Sequence, residues 1–63
     1  MVNPQKVRGM RESRGMSTRD LAREASISTE TIYAIEHGKR QPSVRTLGKI
    51  ARVLAVEVKD FFS

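Results

Sequence analysis

The chain has 63 residues, so it holds one domain at most and can bury only a small core. It has no cysteine and one histidine, which excludes disulfide staples and a metal centre built on thiolates or clustered histidines. Lys and Arg number 12 against 7 Asp and Glu; the net charge of +5 points to a polyanion, nucleic acid before an anionic membrane surface, unless it merely solvates a small domain.

The N-terminus lacks the apolar stretch of a signal peptide, and no apolar run approaches the ~20 residues needed to span a bilayer. The expected location is the cytoplasm. Asn3 before Pro4 marks a helix start: Asn caps, and Pro suits the first helical position, where its missing N–H costs nothing. Helix 1 is expected from Pro4 to Arg14, stopped by Gly15, with Val7, Met10 and Arg11 on one face. Met16 anchors the connection. Ser17 caps helix 2, Thr18 to Ala25, and Asp20 stands where it can close a capping box at the positive end of the helix.

Leu21 and Ala25 share one helical face, and the small Ala22 stands where a neighbouring helix would approach. Ser26 occupies a turn that should require positive φ, at a cost of roughly 1 kcal/mol relative to glycine. Ile27 can plug the angle between two helices. Ser28 caps helix 3, Thr29 to His37, with Ile32 and Ile35 pointing inward and Gly38 ending it. Lys39-Arg40-Gln41-Pro42 is a basic loop. Ser43 caps helix 4, Val44 to Ala55, whose Leu47, Ile50, Ala51 and Leu54 form an apolar stripe. A short helix 5, Val58 to Phe62, should close the core with Phe61 or Phe62. The expected fold class is all-α: a compact bundle of five short helices, residues 1–63 forming one domain, with Leu21, Ile27, Ile32, Ile35, Leu47, Ile50 and Leu54 at its centre.

Two short helices joined by a tight turn, over residues 18–37, match a helix-turn-helix, whose second helix can enter the major groove of DNA. The joint spacing of Arg11, Leu21-Ala22, Ile27-Ser28, Ile32, Ile35-Glu36, Gly38-Lys39, Pro42-Ser43, Leu47, Ile50-Ala51, Leu54 and Val56 resembles the lambda repressor/Cro-like helix-turn-helix family, also called the XRE family. The resemblance runs from about Val7 to Phe61. It departs at Ser26, where the family usually has Gly, and at Thr18, where it often has Gln. It implies a lambda repressor-like fold and sequence-specific binding of double-stranded DNA by a bacterial or phage transcription regulator, a repressor foremost. The alternative is an antitoxin-like or protein-interaction module with DNA binding secondary; the Glu30 charge and the absent Gln at Thr18 leave room for it.

With Ile32 and Ile35 inward, Thr29, Glu30, Tyr33, Ala34 and His37 face out. By the resemblance, Thr29, Glu30 and Ala34 hold base-reading positions. Thr29 can donate, accept and touch a thymine methyl; Glu30 can accept from cytosine N4; Ala34 can pack on a thymine methyl. Glu30 has a second reading as a partner of the helix dipole. Tyr33 either presses on a base or sugar or lies at the edge of the core, and Thr31 is a lesser contact or a first-turn residue. Phosphate contacts are expected from Ser17, Thr18, Ser28, His37, Lys39, Arg40 and Arg45, unless the basic loop is an ordinary solvated one.

The family pairs this Arg11 with this Glu36. The pairing is expected to be partly buried and bidentate, holding helix 3 at its presentation angle, rather than a weak exposed contact. No cofactor, metal, membrane or small-molecule ligand is expected. No catalytic constellation or phosphate-cradling glycine loop is present in the sequence, so an enzyme is not expected. One recognition helix covers a half-site, which makes a homodimer on a pseudo-palindromic site the candidate assembly. Val56, Val58, Phe61 and Phe62 are the nearest apolar material for it, unless they only close the core.

Overall fold

Helices form where a capping side chain precedes an amphipathic run. In the computed structural model, which describes residues 1–62, α1 spans Pro4–Ser13, α2 Thr18–Ala25, α3 Thr29–Glu36 and α4 Val44–Leu54. Asn3 Oδ1 accepts from the Gln5 N–H, and the Oγ atoms of Ser17, Ser28 and Ser43 accept from the N–H groups of Asp20, Thr31 and Thr46. Asp20 completes a capping box by accepting the Ser17 N–H at 3.0 Å. Each such cap contributes about 1 kcal/mol. The residue before a cap and the fourth after it form a hydrophobic staple. Val2 and Val7, Met16 and Leu21, and Ile27 and Ile32 hold these positions, and all six belong to the core or pack against it.

The helix ends are equally uniform. Each α-helix is followed by a residue in the left-handed region: Gly15, Ser26, Gly38 and Ala55. The next amide then donates back to a last-turn carbonyl, Met16 to Arg11, Ile27 to Ala22, Lys39 to Ala34 and Val56 to Ala51, at 2.8–3.2 Å. This is the Schellman arrangement, and it satisfies carbonyls that would otherwise be orphaned. Two of the four residues carry a Cβ, at φ 59 for Ser26 and φ 58 for Ala55. A side chain there costs about 1 kcal/mol, partly offset by the entropy that glycine would lose on folding. Ser26→Gly and Ala55→Gly are therefore each expected to raise the melting temperature by about 2–5 °C. Thermal circular dichroism checks this; an unchanged midpoint in both variants would remove the strain account.

Five α-helices do not form. The expected fifth helix over Val58 to Phe62 is a single 3-10 turn, Val58–Phe61. Four residues cannot offset the cost of nucleating an α-helix. Phe62 leaves the turn to make one antiparallel bridge with Val2, and the Asn3 N–H donates to the Phe61 carbonyl at 2.7 Å. The chain ends are thus tied together across the base of the bundle. Phe61 is fully buried with Val7, Leu21, Ile32, Ile35, Leu47 and Ile50. Ile27 is half-buried rather than central. Helices 1, 3 and 4 each stop one residue short of expectation because Arg14, His37 and Ala55 belong to the C-terminal caps. α3 packs on α2 and α1, while α4 packs on α2 and the 3-10 turn. Among the described residues no helix is long and apolar enough to cross a membrane.

Candidate nucleic-acid interface

Besides the buried Ile32 and Ile35, one polar contact holds α3 in place. Arg11 Nε donates to Glu36 Oε2 at 2.7 Å and Nη2 to Oε1 at 3.0 Å, while Nη1 donates to the Met16 carbonyl at 2.7 Å. The side chains are 10% and 3% exposed. One guanidinium therefore ties α1, the α1–α2 connection and the end of α3 together. Among the described residues no buried side-chain N or O lacks a hydrogen-bond partner. The other two ion pairs, Arg8 with Glu12 and Arg23 with Asp20, are exposed and stay within a helix.

With α3 pinned in this way, Ile32 and Ile35 are buried, and Thr29, Glu30, Tyr33 and His37 are exposed with Ala34 half-buried. These five form the outward face. At the start of the helix Ser28 Oγ and Thr31 Oγ1 lie 2.7 Å apart, and Arg40 Nη1 reaches from the loop to donate to Thr31 Oγ1 at 3.3 Å. At the start of α4, Ser43 Oγ donates to Thr46 Oγ1 at 3.1 Å. The two helix starts border an open cleft lined by Ser28, Thr31, Arg40, Gln41, Ser43 and Thr46 together with Ile27 and Pro42. Hydroxyls, first-turn amides and a guanidinium turned to one side suit an anionic oxygen. Sequence reasoning does not single out Thr46. The signal that could find it is the spacing of Ser43 and Thr46, which repeats that of Ser28 and Thr31.

At α2 the capping box occupies the Ser17 amide and Ser17 Oγ, leaving the first-turn amides of Thr18 and Arg19 without an acceptor among the described residues. The Asp20 carboxyl is held below its ordinary range, first by the Ser17 amide, then by the Ser17 hydroxyl, against slight desolvation, and with help from Arg23. Lys39, Arg40 and Arg45 are exposed, and none pairs with a carboxylate among the described residues. From His37 to Arg45 the chain has no acid. His37 stacks on Tyr33 instead of projecting alone. No group of three His, Cys, Asp or Glu suited to a metal occurs among the described residues. Of the apolar C-terminal side chains, Phe61 is buried, Val56 and Val58 are half-buried against the core, and Phe62 is 38% exposed.

The chain is similar in sequence and in fold to known proteins. The pattern of the family described as helix-turn-helix, HTH_3, matches residues 7–61. An uncharacterized HTH-type transcriptional regulator of Archaeoglobus fulgidus is 39% identical over 57 residues, covering 90% of this chain and 81% of that protein. Another, of Methanocaldococcus jannaschii, is 37% identical over 57 residues, covering 90% and 86%. Among solved structures the chain is similar to SinR, the master regulator for biofilm formation, in complex with DNA: TM-score 0.91, 28% identity, covering 95% of this chain and 97% of that one. SinR is from Bacillus subtilis. The restriction-modification controller protein C.AhdI of Aeromonas hydrophila gives a TM-score of 0.90 at 27% identity, covering 94% and 89%.

Proposed function

Because this chain belongs to the helix-turn-helix family, we propose that it is a DNA-binding transcription regulator that lays α3 in the major groove of double-stranded DNA. The observation that carries this is the outward face of α3, set beside an acid-free loop whose Arg40 reaches back to the helix start. In this reading Thr29, Glu30, Tyr33 and Ala34 meet base edges. Ser17, Thr18, Ser28, Lys39, Arg40 and Arg45 hold phosphates, while His37, stacked on Tyr33, stands outside that set. Arg11 and Glu36 touch no DNA; they set the angle at which α3 is presented.

Repression in the cytoplasm is the regulatory role we assign, on a pseudo-palindromic site. One helix reads only a half-site, so the binding unit is a homodimer. The exposed Glu30 at the start of α3 favours the competing reading, a protein-interaction module, because a carboxylate beside phosphates is electrostatically unfavourable.

Fluorescence anisotropy with a labelled random duplex separates the two. The three cationic phosphate contacts, Lys39, Arg40 and Arg45, predict an affinity fall of about 40-fold for each bound protomer between 50 and 200 mM salt, as counterions compete for the backbone. A flat response across that range would refute DNA binding and leave the protein partner.

A further inference from the structure

On the outward face of α3 the rings of Tyr33 and His37 are stacked, with centroids 3.8 Å apart and planes 21° from parallel. His37 Nδ1 lies 2.8 Å from the Tyr33 carbonyl oxygen. A carbonyl only accepts, so Nδ1 carries the proton and donates. The imidazole is therefore tied twice to one residue, through its ring face and through one nitrogen.

Neither ring is pressed into place by the core. Tyr33 is 52% exposed and is the one large exposed apolar side chain on α3. An isolated phenol ring at such a place would sample its rotamers, and ordering it on binding would cost affinity. The stack removes that cost in advance.

The geometry points to Tyr33 and His37 as a single specificity unit. Tyr33 presses its ring on the C5-methyl of a thymine, and His37 is the positioning residue that holds the ring there. The inference rests on the DNA-binding reading above. The thymine methyl is the apolar group on the floor of the major groove, and the Tyr33 ring is the apolar surface that α3 turns outward. Thr29, one turn earlier on the same face, is short enough to leave the ring projecting.

The test begins with duplexes selected from a random library by the unaltered chain. Each thymine of a selected site is then replaced by deoxyuridine, which removes the methyl and nothing else. At one position of the half-site, affinity is expected to fall about fourfold, the worth of one buried methyl. Tyr33→Ala abolishes that discrimination. His37→Ala reduces it, His37→Phe restores it by keeping the stack, and His37→Ala adds no further loss on top of Tyr33→Ala. Two results would overturn the inference: a deoxyuridine penalty in Tyr33→Ala equal to that of the unaltered chain, or a His37→Ala loss that persists undiminished in the Tyr33→Ala background. A library from which the unaltered chain retains no duplex overturns the DNA-binding reading and this unit with it.

Discussion

Glu36→Ala is expected to lower the melting temperature far more than Glu24→Ala, although each removes one carboxylate from a helix. Glu36 is 3% exposed and accepts two hydrogen bonds from Arg11, whose side chain is 10% exposed. Removing it strands a guanidinium that retains only the Met16 carbonyl. Breaking a buried pair in this way costs about 3–5 kcal/mol. A domain of this length has a total stability of roughly 3–9 kcal/mol, so the variant sits near the folding threshold. Glu24 is exposed and makes no ion pair among the described residues, so its loss is worth about 0.5 kcal/mol or less. Equal midpoints for the two variants would show that the buried pair does not hold the bundle.

The pair also has a pH signature. The Arg11 guanidinium is held protonated more firmly than a free one, first by its hydrogen bond to Glu36, against the cost of desolvation and with help from the charges of Glu36 and Glu12. A group whose folded pKa is raised gives its full stabilisation below the unfolded value and loses it only as pH climbs through the folded value. For an arginine that window lies in strong alkali, so the arginine side of the pair stays intact through neutral and mildly basic solution. Replacing both partners with apolar residues, Arg11→Met with Glu36→Leu, should recover much of the melting temperature, since no charge is left stranded. DNA affinity should stay depressed, because the bidentate contact that sets the angle of α3 is gone. Recovery of both would make the pair a stability device only.

How much of this was readable beforehand follows the range of each interaction. Caps are local chemistry: Asn3, Ser17, Ser28 and Ser43 announce their helices within three residues, and all four make the cap bond. Gly15 and Gly38 likewise mark left-handed ends. Ala55 does not, because alanine is a strong helix former. The end of α4 is set instead by Val56, whose amide turns back to Ala51. The expected C-terminal helix is a single turn instead because the partner that sets it is remote: Val2 and Phe62 meet across the whole chain. The outward face of α3 followed from helical period alone, once Ile32 and Ile35 pointed inward. Its finer structure did not. The Tyr33–His37 stack and the reach of Arg40 to Thr31 depend on rotamers, which periodicity leaves free.

Replacing Lys39, Arg40 and Arg45 together by alanine is expected to weaken binding to duplexes of every sequence alike. Each phosphate contact contributes about 0.9 to the slope of log affinity against log salt, so three lost contacts should flatten that slope by about 2.7 for each bound protomer. At 0.1 M salt the same counterion argument gives a loss of about 10²–10³-fold. Stability cannot account for such a loss. All three side chains are exposed, and the Arg40 bond to Thr31 is a surface contact. Arg45 sits in the first turn of α4, where a cation opposes the helix dipole, so removing it does the fold no harm. The melting temperature should therefore hold while affinity collapses, unlike in Glu36→Ala, where the fold itself is weakened. Thr29→Ala should behave in a third way, reordering the preferred sequences and leaving the salt slope unchanged, since a base contact releases no counterion. A triple variant whose salt slope matches that of the unaltered chain would move the phosphate track away from this loop. The amides at the starts of α2 and α3 would then have to hold the backbone alone.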